Sequence, residues 1–456
     1  MSDMAEHHAA DFSLVATGDA MITRELRHST GVSTAFDGLV ERCRAADAAV
    51  TNLEVLVHDY SDDAYPTRSL GTFMRAPPAV VDELDWMGFN LFTTATNHSF
   101  DYGYGGIRQT IDALRSRSLT FAGMGDSLFD ARRPGYLETR AGRVGLISTC
   151  TTINPGSEAA PQSETMHGSP GINPLHRERV YRVPQDQIDQ LESISETLNI
   201  EQIKAEWFER GIYGGHDWLD QDRFHFMDMP FEAATDDNPP GIYDELNEAD
   251  RTALLEWVRE SDTNAEFTVV GIHCHESPLG FHNHPETPDF LRQFARDCID
   301  AGADAIVGHG PHILRGIEVY DGRPIFYSLG NFIDQREHIE RLPPAQYRRH
   351  GIADDTKVSA VFDARSLDAD GTLKGDFANP WWWRSIIPRV DFEDGVVTSI
   401  SLAPITLQGD VGRSGRGTPI LARGEEARAT LERVQSLSDP FGTSVTIDGD
   451  MATVDV

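Results

Sequence analysis

Gly302–Phe332, GADAIVGHGPHILRGIEVYDGRPIFYSLGNF, is the stretch from which the rest of the chain is read. Its apolar run Ala305–Val307 is cut by a glycine and then by two histidines, His309 and His312. That pattern predicts a buried strand delivering imidazoles from its carboxyl end, where open α/β sheets place their ligand sites. Ile317–Tyr320 and Pro324–Leu329 flank Asp321-Gly322, a hairpin signal, and the stretch ends at Gly330-Asn331-Phe332. On spacing alone the two histidines are either metal or catalytic groups, or simply turn residues.

Immediately upstream, Glu248–Arg259 has helical spacing and Phe267–Ile272 reads as a strand delivering His273-Cys274-His275-Glu276. Pro288–Ala301 is a further predicted helix, closed by Gly302. The amino-terminal part repeats the pattern. Phe12–Thr17 stops at Gly18-Asp19, Ala48–Thr51 runs into Asn52-Leu53-Glu54, and Asn90–Thr94 ends in Ala95-Thr96-Asn97-His98. Predicted helices at Ala35–Arg44, at Pro78–Met87 with Gly88 as its stop, and through Ile107, Ile111 and Leu114 separate these strands. A hairpin follows over Tyr136–Ser148. Strand and helix alternate with a polar residue after each strand, which predicts a layered α/β sheet whose active edge gathers those residues.

From about 154 to 247, Gly, Pro, Asp, His and aromatic residues crowd segments such as Gly211–His216 around one predicted helix, Pro184–Arg210. This reads as a loop-rich insertion packed over the active edge. Beyond Ile333, Val358–Asp363, Trp381–Val390 and Val396–Pro404 read as strands covering the far side of the sheet. Gly412–Arg423 reads as a loop, Glu425–Ser436 as a helix, and Ser444–Val456 as a terminal hairpin. The expected organisation is one domain over 10–345 carrying the insertion, with a β-rich extension over 346–456 packed on it.

The 456 residues hold 73 acidic against 39 basic side chains, a formal charge of -34, and lysine occurs only at Lys204, Lys357 and Lys374. Dispersed acid with so little lysine predicts a halophilic source, where salt screens self-repulsion. It argues against nucleic acid as a partner, since no basic footprint for phosphates is visible, and disfavours an anionic membrane surface. Cys43, Cys150, Cys274 and Cys298 form no CxxC pair, so neither a disulfide framework nor a thiolate zinc site is implied. The start, MSDMAEHHAADF, lacks the basic-then-apolar pattern of a signal peptide and no run reaches the length of a membrane span, so a cytoplasmic protein is expected.

The polar residues after strands are carboxylates, amides and imidazoles without a thiolate. Such a set suits Mn, Fe, Zn or Mg, which act as Lewis acids and acidify water, while a histidine outside the ligand set protonates a leaving group. Asp19, Glu54, Asn97 and His98 are also residue types that serve as turn or capping groups. His282 and His284 read as a loop at the rim, and Trp381–Trp383 as packing.

The order Gly18-Asp19, Asn52-Leu53-Glu54, Thr96-Asn97-His98 with Asp101-Tyr102-Gly103, His273, Gly308–His312 and Tyr327–Phe332 resembles the CapA family of capsule and poly-gamma-glutamate biosynthesis proteins. That family is similar in fold to the calcineurin-like metallophosphoesterases, and the resemblance runs from about Phe12 to Ile333. It implies a layered α-β-β-α sandwich with one or two divalent ions held by Asp19, Glu54, Asn97, His273, His309 and His312, and His98 as general acid. Asn52, Asp101, His275, Glu276, Arg315 and Asn331 are left for supporting or substrate-contact roles. The chain departs from the metallophosphoesterase pattern in four ways. Met21 stands where a histidine is usual, Glu54 replaces an aspartate, two residues separate His309 from His312, and His273-Cys274-His275-Glu276 replaces His-Trp-Gly-x-Glu. The resemblance implies a metal-dependent hydrolase acting on a phosphoester or related bond in a small molecule or acidic polymer, in association with a capsule-synthase complex. A phosphoesterase outside capsule synthesis, or a non-catalytic accessory protein binding an acidic polymer or synthase, fits the same motifs.

Overall fold

Alternation along the buried strands builds the layers. In Phe12–Met21, the side chains of Phe12, Leu14 and Ala16 join one apolar cluster while Val15, Ala20 and Met21 join another. Leu146 and Ile147, Val269 and Val270, and Val307 and Ile306 divide in the same way between the first cluster and a third. The shared cluster therefore lies between two face-to-face sheets. The other two fill the outer layers, one under helices Thr34–Arg44 and Ala79–Met87, the other under Glu248–Asn264 and Asp289–Asp300. This is the α-β-β-α sandwich expected, seen in a computed structural model that describes residues 11–27, 34–61, 63–67, 71–211 and 223–456.

The first sheet runs Val445–Asp448, Met451–Val454, Val396–Thr406, Arg384–Glu393, Phe12–Met21, Ala48–Leu53, Leu91–Thr93, Thr120–Ala122. The second runs Ile317–Tyr320, Arg323–Phe326, Ala305–His309, Phe267–His273, Arg143–Cys150, Gly135–Glu138. The hairpin turn in the opening stretch is present, with Asp321 and Gly322 both at positive φ, 49° and 70°.

Several expectations are corrected. The carboxyl-terminal strands do not cover the far side of the sheet. They extend it, Arg389–Phe392 pairing antiparallel with Phe12–Val15 and closing what would be an open edge. Val358–Asp363 is not a strand but part of the helix Val358–Ser366, because Val361, Phe362 and Ser366 are buried at helical spacing and Ala360 and Ala364 favour that state. Trp381–Trp383 lie in a 3-10 turn, Pro380–Trp383, capped by Asn379 Oδ1 accepting from the Trp381 N–H, so the strand begins only at Arg384. The single helix Pro184–Arg210 is two, Gln185–Thr197 and Ile200–Glu209, interrupted where Asn199 takes φ 55°. The insertion also carries its own four-stranded sheet, Phe224–Phe226, Met229–Ala233, Arg177–Val183, Gly241–Leu246. Of Gly211–His216, all beyond Gly211 lies outside the described residues, as does most of the amino-terminal stretch read for a leader. Among the described residues no helix is long and apolar enough to cross a membrane, and the four cysteines are buried and free.

The insertion is fastened to the sandwich by ion pairs. His176 Nδ1 lies 2.6 Å from Asp250 Oδ2, its Nε2 is 3.7 Å from Glu158, and Arg132 pairs with the other Asp250 oxygen. The hydrogen bond to Asp250, then that to Glu158, raises the His176 pKa to about 9. A folded-state pKa above the unfolded 6.5 means that the native chain binds the extra proton. This stabilisation is complete below pH 6.5 and is lost as pH rises through about 9. Urea midpoints should therefore fall across that window in wild type and stay flatter in His176→Gln, by less than about 1 kcal/mol because the side chain is nearly half exposed.

Candidate metal centre

Register, more than loop length, assembles the site. Asp19 is paired with Asn331 on one side and with Asn52 on the other, and Asn52 is paired with Thr93. In the facing sheet, His273 is paired with His309 and Cys150. Each sheet thus presents one row of polar residues at the carboxyl ends of its parallel strands, and the two rows meet. The approach requires a glycine at position 18, since a Cβ there would sit 1.9 Å from the Gly330 carbonyl oxygen. His312 adopts φ 61°, a left-handed conformation that costs a non-glycine residue strain and that structures keep at functional sites.

Glu54, one residue beyond Ala48–Leu53, occupies the centre of the meeting rows. It is fully buried and neither carboxylate oxygen has a hydrogen-bond partner. His273 Nε2 and His312 Nε2 each lie 3.8 Å from Glu54 Oε1. Two three-donor groups share this carboxylate, Glu54 with His273 and His275, and Asp19 with Glu54 and His312. In the first, the Nε2 atoms of His273 and His275 converge at 3.1 Å, and Asn97 Oδ1 is 3.0 Å from His273 Nε2. In the second, His312 Nδ1 is 3.4 Å from Asp19 Oδ2.

Burial raises the pKa of Glu54 well above normal, and nearby Asp19 pushes it further. Asp19 itself is raised by burial. Desolvation also drives His273 and His312 well below their ordinary value and His275 down to about 3, so the imidazoles keep their lone pairs. Glu54, whose oxygens lack any hydrogen-bond donor, and Asp19 face the lone pairs of neutral imidazoles, all out of water. The residues fit a divalent cation, whose charge replaces the solvation that burial removed.

Surrounding contacts orient these donors. Asn52 donates to Asp19 Oδ1 at 2.8 Å and lies 3.2 Å from His273 Nδ1, while Thr93 donates to Asn52 Oδ1. His275 Nδ1 is 2.8 Å from Asn283 Oδ1 and His312 Nδ1 is 2.9 Å from Asn331 Oδ1, which leaves each Nε2 facing inward. Asn331→Ala should weaken metal binding on the His312 side by about 10- to 100-fold while Asn331→Asp retains it, as competitive chelator titration would show.

The sequence-derived residues divide by position. Asp19, Glu54, Asn97, His273 and His312 come together. His309 lies beside them, its Nε2 at 3.1 Å from the Thr17 carbonyl and its Nδ1 buried without a partner, but it belongs to neither three-donor group. His98 adjoins the cluster, with Nδ1 at 2.7 Å from Asp101 Oδ2, an oxygen that also accepts from the Met74 N–H. Glu276 faces away, accepting from Thr151 and Thr152 and pairing with Arg177 of the insertion at 3.0 Å. Arg315 is buried and donates to the carbonyls of Cys274, Glu276 and His284. Of the two roles left open for it, its guanidinium therefore takes the supporting one, fixing the loop carrying His275. His275 is a donor whose i, i+2 spacing from His273 at a strand end was the available signal. Trp382 was read as packing and does pack, its ring 4.7 Å from that of His312, but its Nε1 also donates to Asp334.

The chain matches the family model for the bacterial capsule synthesis protein PGA_cap over residues 13–336, a span containing every donor named above. A protein of Sinorhizobium fredii named y4sH, uncharacterized, is 34% identical over 442 residues, covering 96% of this chain and 91% of its own length. The PGA biosynthesis protein CapA of Bacillus subtilis is 25% identical over 319 residues, covering 69% of this chain and 61% of that protein. The capsule biosynthesis protein CapA of Bacillus anthracis is 24% identical over 327 residues, covering 70% and 59%.

Proposed function

This chain belongs to the bacterial capsule synthesis protein PGA_cap family, and from that premise we propose that it serves capsule or poly-gamma-glutamate synthesis as a metal-dependent hydrolase of a phosphoester or related bond. The observation that carries the reading is Glu54, a buried carboxylate with both oxygens unpartnered and shared by two groups of donors. A divalent ion bound there supplies Lewis acidity toward a phosphoryl oxygen and acidifies water.

The chain's own residues do the rest. The buried imidazoles of His273, His275 and His312 stay neutral and pre-aimed, so no reorganisation is needed on binding. Asp101 fixes the ring of His98 through Nδ1, and Nε2 has no hydrogen-bond partner among the described residues. In this reading His98 hands a proton to the departing oxygen as water adds across the ester bond. In this reading, association with a synthase complex delivers the substrate.

Elemental analysis of the purified protein, paired with turnover of a chromogenic phosphodiester and of poly-gamma-glutamate, tests the proposal. Bound metal with turnover of the phosphodiester supports metal-dependent hydrolysis, and turnover of the phosphodiester with no effect on poly-gamma-glutamate favours a phosphoesterase outside capsule synthesis. Wild-type protein that takes up no divalent metal would end the proposal, and metal without turnover would leave a non-catalytic accessory role.

A further inference from the structure

The helix Val358–Ser366, which the sequence did not reveal, carries a cation that the proposed chemistry has not used. The Arg365 side chain is largely enclosed, and its Nη1 donates to Thr72 Oγ1. Among the described residues no carboxylate pairs with it, whereas Arg413 and Arg416 nearby are both paired with Glu337. Burial, reinforced by repulsion from Arg336 and offset in part by Asp334 and Asp376, neither of which pairs with it, lowers its pKa to about 10. A desolvated guanidinium with only a hydroxyl to bind is short of an anion.

Its position gives that shortage a meaning. Thr72 follows Gly71, where a Cβ would lie 3.3 Å from His98 Cε1, and Gln346 pins the Gly71 carbonyl at 2.8 Å. The strip that Arg365 holds is therefore the one bordering the proposed proton donor. Arg336 stands on the metal side. Its Nε bonds Asp334 at 2.8 Å, its Nη2 contacts Met21 Sδ at 3.1 Å, and its charge acts on both Glu54 and His312. Met21, where metallophosphoesterases usually have a histidine, is thus the surface against which this second cation packs.

We propose that Arg365 and Arg336 form an oxyanion subsite on the leaving-group side of the metal centre, accepting a second negatively charged group of the substrate. The assignment of sides rests on the hydrolase reading above. The substrate class is then a polyanion, its second group a phosphate or a carboxylate, and a neutral ester is disfavoured. Bidentate recognition by arginine suits either oxyanion.

The test uses metal-loaded protein with inorganic phosphate and glutarate as probes. Calorimetric titration should show one or both binding to wild type, and Arg365→Gln should weaken binding about tenfold or more at unchanged metal content, as loss of a charge-assisted contact implies. Arg365→Lys should recover part of it. Should the glutamine variant not fold, phenylglyoxal labelling of wild type read at Arg365 by peptide mass gives the same answer, with protection expected from the anion that binds. Protection by phosphate alone assigns a phosphorylated group, and protection by glutarate a carboxylated one. Unchanged affinity in Arg365→Gln, or labelling indifferent to both anions, overturns the subsite even if hydrolysis is intact. Anion protection without any hydrolysis would overturn the catalytic reading and leave the subsite standing.

Discussion

Glu54→Gln should empty the metal centre and lower hydrolysis at least a hundredfold, about the cost of losing a single supporting contact and so a lower bound for a shared donor. The same substitution should raise the stability of the metal-free protein. In wild type the carboxylate is fully buried, both its oxygens are unpartnered, and Asp19 lies close by. Replacing it with a neutral amide of nearly the same shape removes the cost that the raised carboxyl pKa imposes above the unfolded value of 4.5, so the gain should be present at neutral pH and disappear in acid. Three melting curves distinguish the cases. Metal-loaded wild type should melt highest, Glu54→Gln next and unresponsive to metal, and metal-stripped wild type lowest. A purely structural Glu54 would reverse the last two. Elemental analysis of the variant provides the independent reading, and full metal content in Glu54→Gln would refute the shared-donor assignment.

The layered α/β sheet and the residues at its edge were legible because both follow from strand burial, whereas the α-β-β-α sandwich and the ligand roles came from the resemblance to the CapA family. A strand covered on two faces is continuously apolar, so the first polar residue after it marks the carboxyl end, and parallel strands bring those ends together. Asp19, Asn52, Glu54, Asn97, His273, His309 and His312 were all found by that rule. The rule says nothing about orientation. His309 turns its Nε2 to the Thr17 carbonyl while His275, held by Asn283, turns inward, and position after a strand does not reveal which imidazole will do which. For Arg315 the supporting role was offered but its partners could not be named, for a related reason. Its partners are backbone carbonyls of a loop some forty residues upstream, and carbonyls leave no mark on the sequence. Asp334 and Arg336 escaped notice because they reach the site through the pairing of Asn331–Asp334 with Phe12–Met21, and Trp382 was read only as packing because its approach depends on the Arg384–Glu393 strand joining the same sheet. The helix at Val358–Ser366 was read as a strand from its β-branched and aromatic residues, a local preference that burial at helical spacing overrides.

His98→Gln should lower hydrolysis by about a hundredfold to ten-thousandfold, the range associated with loss of a positioned acid, and leave metal content unchanged. The separation of these two readouts follows from the geometry. His98 takes part in neither three-donor group, and its Nδ1 is already bound to Asp101 at 2.7 Å, so the proposed role is that of a proton donor outside the ligand set. The loss should depend on the leaving group. A nitrophenolate departs without protonation, so aryl esters should retain far more activity in His98→Gln than alkyl esters, whose alkoxides need the proton. Asp101→Asn should show the same selectivity in weaker form, but with some loss of stability, because its carboxylate also accepts from the Met74 N–H. Equal losses on aryl and alkyl esters would mean that His98 only shapes the pocket. Loss of metal in His98→Gln would move it into the ligand set and leave the departing oxygen without a donor from this chain.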